Sequence, residues 1–166
     1  LAKVKEYATL ARAWALIASR FPDWRVEVYG DGPLRGRLAD EVDRLGIADT
    51  FRLCGYEPDI GAVYARASIF CHPARFEGFG LAVAEALALG VPVVAFSDCA
   101  GVNEFVVDHH NGLLVEREEG AAAIAAALSR LIVDEDLRRR LAADCPASVA
   151  AYDIATYTER WSALLQ

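Results

Sequence analysis

The chain has 166 residues, enough for one domain with a sizeable core. It is 55% hydrophobic, yet Glu85, Gly90 and Pro92 break its most apolar stretch well short of the roughly 18 residues that span a bilayer as one helix. A net charge of −7 argues against a nucleic-acid surface.

Lys3, Lys5 and Glu6 lead into an amphipathic pattern rather than the apolar core of a signal peptide. Residues 5–19 place Tyr7, Leu10, Ala11, Trp14, Ile17 and Ala18 on one face, which predicts a helix. Val26 to Tyr29 predicts a strand, and Gly30-Asp31-Gly32-Pro33 a turn. Leu34 to Leu45 predicts a helix stopped by Gly46, and Phe51 to Cys54 a second strand ended by Gly55. Pro58-Asp59 opens a short helix to Arg66, and Ser68 to Cys71 gives a third strand. Phe79 to Leu89 holds strong helix formers, and Gly90 and Pro92 end that helix before a fourth strand, Val93 to Ala95. Gly112 to Val115 is a fifth, short strand. Helices follow at 118–132 and 135–143. Pro146 is expected to interrupt, and Asp153 to cap a last helix over 154–165. Strand and helix alternate, so the fold class is α/β: a Rossmann-like parallel sheet with helices on both faces.

Four cysteines, Cys54, Cys71, Cys99 and Cys145, are scattered with no Cys-x-x-Cys. They read as small apolar residues of a reducing, cytoplasmic compartment rather than as disulfides or metal ligands. His109-His110 reads as an exposed turn, and two adjacent histidines are poor metal ligands on their own. Arg138-Arg139-Arg140 reads as the solvated face of a helix.

The chemistry concentrates in residues 74–95. Glu85 is the only charge between Glu77 and Asp98, and a carboxylate in so apolar a segment needs a partner. Gly78 and Gly80 stand at the start of the same helix. Unpaired N–H groups there, with the helix dipole, make a place for an anion.

Glu77-Gly78-Phe79-Gly80-Leu81, followed after Ala84 by Glu85-Ala86, resembles the Glu-x7-Glu signature of retaining glycosyltransferases of family 4, which have the two-domain GT-B fold. Asn111-Gly112-Leu113-Leu114-Val115, the Gly30-Asp31-Gly32-Pro33 turn and Lys5 ahead of Leu10 and Trp14 fit the same pattern. The resemblance covers nearly the whole chain. It implies that residues 1–166 are a single nucleotide-sugar-binding domain, the donor half of such an enzyme. In that family an Arg five residues before the Lys sits at the end of a strand, and an N-terminal domain holds the acceptor. Neither is found in residues 1–166, so the first strand and the acceptor domain are expected outside them.

The resemblance also implies roles. Glu77 is the catalytic-site carboxylate and accepts hydrogen bonds from the donor sugar. Gly78, Phe79, Gly80 and Leu81 present N–H groups to sugar and diphosphate. Glu85 grips the ribose diol, and Lys5 meets the diphosphate. Arg52 lies in the Phe51 to Gly55 segment, which runs against the nucleobase. Gly101-Val102-Asn103-Glu104 lines the sugar pocket. Plainer roles stay open beside these: a solvated loop carboxylate for Glu77, a partner to a basic residue for Glu85, a core ring for Phe79, a surface charge for Lys5. His72 reads as a local structural histidine.

The implied partner is a nucleoside-diphosphate sugar, such as a UDP-sugar, with a glycan or lipid acceptor and no nucleic acid. No cofactor and no metal are expected, and the full-length enzyme has scope for peripheral membrane association. A sugar-nucleotide epimerase of the same fold, and a binding domain without catalysis, are the alternatives.

Overall fold

The structure is a computed structural model that describes residues 5–152, 156, 158 and 161–163. Among the described residues, elements follow in the order α1 Tyr7–Ala15, β1 Val26–Tyr29, α2 Arg35–Arg44, β2 Phe51–Gly55, α3 Ile60–Arg66, β3 Phe70–His72, α4 Leu81–Ala88, β4 Val93–Phe96, α5 Ala100–Asn103, β5 Gly112–Val115, α6 Gly120–Val133 and α7 Glu135–Val149. Among the described residues the strand ladders are parallel. They come in two pieces, β1 with β2, and β3–β4–β5 in that order.

Central strand β4 explains the layering. All four of its residues are buried, and they alternate between two cores. Val94 and Phe96 face a cluster built by Leu10 and Trp14 of α1, Leu38 and Val42 of α2 and Ile124, Leu128 and Leu131 of α6. Val93 and Ala95 face a second cluster with Val83 and Leu87 of α4, Val102 of α5 and Cys145 and Val149 of α7. A strand covered on both faces needs an unbroken apolar run, and Val93-Val94-Ala95-Phe96 is one.

Between the two sheet pieces lies a cavity of about 720 Å3. It is bordered by the whole of β1 and of β3, by Leu10 and Trp14 of α1, by Leu128 and Ile132 of α6, and by Ile60, Val63 and Tyr64 of α3. Val26 N–H bonds to Thr50 O and Phe70 N–H to Pro92 O, so these residues face β2 and β4. In a parallel ladder the alternate residues, Glu27 and Tyr29 on β1 and Cys71 on β3, turn their main-chain groups the other way, toward the cavity.

Several boundaries differ from expectation. The first helix ends at Ala15 and continues only as a 3-10 turn over Ala18–Arg20. Helix α4 starts at Leu81, because Gly80 is left-handed and cannot be helical. Pro146 does not interrupt: α7 runs through it to Val149. An interior proline costs a helix roughly 3 kcal/mol, and burial of Cys145 and Val149 in the second core offsets it. Arg138 is more than a solvated charge. It donates to Leu131 O and Ile132 O and its guanidinium lies 5.3 Å from the Trp24 ring centre. Cys99 and Cys145 are buried as expected, while Cys54 is exposed on β2. The expected helix over 154–165 lies largely outside the described residues. Among the described residues no helix is long and apolar enough to cross a membrane.

Candidate functional site

Strand β3 ends at His72, and the loop that follows carries Glu77 to the carboxyl end of the strands, where open α/β sheets take their ligands. Two glycines let this loop close down. A Cβ on Gly80, whose φ is +77°, would run into the carbonyl oxygen of Gly101, and one on Gly101 into the carbonyl oxygen of Glu77. Gly101 opens no space for a ligand; it lets the Glu77 loop sit against α5. At Gly78, by contrast, a Cβ would meet nothing. The open side of the loop is therefore the one in front of Gly78.

Gly80 caps α4 with no side-chain acceptor, so the first turn of α4 keeps donors available. Leu81, its first residue, is exposed. The Phe79 ring is half exposed and meets Phe105 and Tyr152 edge-on, with centroids 5.1 and 5.8 Å away. One turn into α4, Ala82 and Glu85 face the cavity together, as positions three apart on a helix do. Tyr64 of α3 donates a long hydrogen bond, 3.5 Å, to Glu85 Oε2. Burial, and next the Glu85 charge, push the Tyr64 phenol up. Glu85 thus has a neutral partner in Tyr64.

Glu77 stands among three groups. Lys5 Nζ forms an ion pair with its Oε2. His72 Nε2 lies 3.2 Å from the same oxygen, but off the line of a good hydrogen bond. Burial works to raise the Glu77 carboxyl, but Lys5, His72 and the Gly78 N–H together outweigh it and hold the carboxyl below its ordinary value. His72 is 4% exposed. Burial, then the Lys5 charge, depress its imidazole against the opposing pull of Glu77, so it is neutral near pH 7. Cys71 beside it is pushed up to about 12 by burial.

Lys5 and Glu85 both line the cavity, and the ion pair brings Glu77, which the Gly78 to Leu81 turn joins to α4, alongside Lys5. Arg52 does not join them. It stands on β2 with its side chain exposed and outside the cavity lining. His72, read as a local structural histidine with the pocket in reach, touches Glu77. Tyr64 was missed altogether, since nothing in a tyrosine twenty-one positions before Glu85 signals the contact. Asn111 proves to be an anchor: fully buried, it accepts from Val107 N–H and donates to Phe105 O, fixing the turn into β5. His109 and His110 are exposed, as read.

Residues 1–144 match the family described as glycosyl transferases group 1. An uncharacterized glycosyltransferase of Haemophilus influenzae is 29% identical over 97% of this chain and 45% of its own length. A UDP-N-acetylglucosamine–peptide N-acetylglucosaminyltransferase GtfA subunit of Streptococcus parasanguinis is 31% identical over 72% of this chain and 24% of its own. The chain thus spans less than half the length of these curated relatives. The C-terminal domain of a glycosyl transferase group 1 family protein (LpcC) from Francisella tularensis superposes with a TM-score of 0.83 at 29% identity, covering 93% of this chain and 83% of that one. With its fold that of GT-B glycosyltransferase domains, this chain belongs to the group 1 glycosyl transferases.

Proposed function

We propose that the chain is the donor-binding half of a retaining hexosyltransferase of the family 4 type, which takes a sugar from a nucleoside-diphosphate carrier and passes it to an acceptor hydroxyl on a glycan or lipid. The observation that carries this is the meeting of Lys5 with Glu77 beside the uncapped start of α4. Such a site holds a cation and free N–H groups for a diphosphate and a carboxylate for sugar hydroxyls. As the leaving diphosphate gains charge, Lys5 and the α4 N-terminus meet it, and no metal is called for. Glu85, one turn along, offers two oxygens to a vicinal diol such as a ribose. The name of the Streptococcus parasanguinis relative supports a UDP-sugar as donor.

The free thiols Cys99 and Cys145 go with a cytoplasmic place. The cavity between β1 and β3 has room for a further parallel strand beside them.

Calorimetric titration with UDP and a UDP-sugar tests the donor site. Glu77→Ala is expected to weaken the UDP-sugar more than UDP. Equal losses, or no binding of either by the unmutated chain, would overturn the assignment.

A further inference from the structure

Glu6, next to Lys5, caps α1 in the left-handed region, with φ 47° and ψ 36°. For a residue with a Cβ this conformation is strained, and strain of this kind persists only where the surroundings enforce it. The enforcement is on both carboxylate oxygens. Arg75 Nε donates to Oε1 at 3.0 Å, and Arg117 Nη1 to Oε2 at 3.1 Å.

The two arginines are not equivalent. Arg75 is mostly exposed, and exposed pairs hold little. The Arg117 side chain is 15% exposed and fixed from every side. Its Nε donates to Asp98 Oδ2 at 2.6 Å, its Nη2 to Ala74 O at 2.9 Å, and its guanidinium lies 4.1 Å from the Phe96 ring centre. It ties the start of α1 to the β3–α4 loop and to the end of β4. Only the rigid, planar fork of an arginine can do this at once.

We propose that Arg117 is a positioning residue: by clasping Glu6 in its left-handed conformation it sets the direction in which Lys5 leaves α1 and so delivers the ammonium to Glu77 and the diphosphate. This rests on the donor-site reading for Lys5.

The test is nuclear magnetic resonance titration with UDP and with uridine, which lacks the diphosphate. Arg117→Lys should lower UDP affinity about 5- to 10-fold, the scale on which strain of this size is felt, and leave uridine unchanged. In a Lys5→Ala background the same change should cost less than about twofold, because the group it positions is gone. Adding Glu6→Gly should restore most of the UDP affinity, since glycine holds a positive φ without the clasp. Equal losses for UDP and uridine, additive losses with Lys5→Ala, or no rescue by Glu6→Gly would each overturn the inference. A parent chain that binds uridine but gains nothing from the diphosphate would instead sink the donor-site reading itself.

Discussion

Lys5 and Glu77, seventy-two positions apart, form an ion pair at the carboxyl end of the sheet. The carboxylate expected to receive a sugar and the ammonium expected to receive a diphosphate hold each other. Lys5 helps hold the Glu77 carboxyl below its ordinary value and adds to the burial that depresses His72, while Glu77 pulls His72 the other way. A ligand bringing its own anion and its own hydroxyls would replace one contact with two sets.

Glu85→Gln should weaken binding of a nucleoside diphosphate by roughly 1–3 kcal/mol, the usual loss when a charged hydrogen-bond partner is removed. Val83, Ala86 and Leu87, not Glu85, are the residues α4 buries, so the fold should survive. Calorimetry on a variant with unchanged circular dichroism measures this. Undiminished affinity would remove Glu85 from the site.

Stability should fall as the pH drops below the ordinary histidine value of 6.5. The imidazole of His72 has its pKa lowered by burial. The unfolded chain therefore takes up a proton on passing 6.5 that the folded chain takes up only at lower pH. His72→Gln removes that uptake and should flatten this part of the curve. Urea unfolding between about pH 7.5 and about pH 5 reads it. An unchanged slope in the variant would assign the loss to other groups.

Gly80→Ala should destabilise by at least about 1–2 kcal/mol, from the left-handed φ alone, with a further loss because the new methyl meets the Gly101 carbonyl. Gly36→Ala is the control. Gly36 lies inside α2 with nothing near its missing Cβ, and alanine there should stabilise by roughly 0.4–1 kcal/mol. Thermal unfolding compares the two. A neutral Gly80→Ala would show that the loop yields easily.

Residues 1–166 alone are expected to bind a sugar nucleotide weakly and to transfer nothing. Aligning two reactants lowers a barrier by roughly 7–11 kcal/mol, and one wall of a cleft cannot do that. A radiolabelled-donor assay should be run on this chain and on this chain joined to an acceptor domain of the kind the two-domain reading calls for. Comparable turnover by both would refute the two-domain reading.

The fold class was legible from local pattern, because period and punctuation are written into neighbouring residues. The run Val93 to Ala95, the alanine-rich α6 and the stops at Gly46 and Gly90 all fall close to where the structure has them. The helix through Pro146 was not legible, since only packing of Cys145 and Val149 against the second core sustains it. At the site, the spacing of Glu77 and Glu85 was readable along the chain. The partners of those carboxylates were not: Tyr64 at Glu85, and Lys5 and His72 at Glu77, arrive from other elements. Nor could sequence tell Gly101 as a packing surface for the Glu77 loop, or Arg117 as the clasp of Glu6. Hydrophobic period and turn residues act over a few positions and are fixed by the chain itself. Which charges meet across seventy or a hundred positions is decided only when the sheet brings its carboxyl ends together.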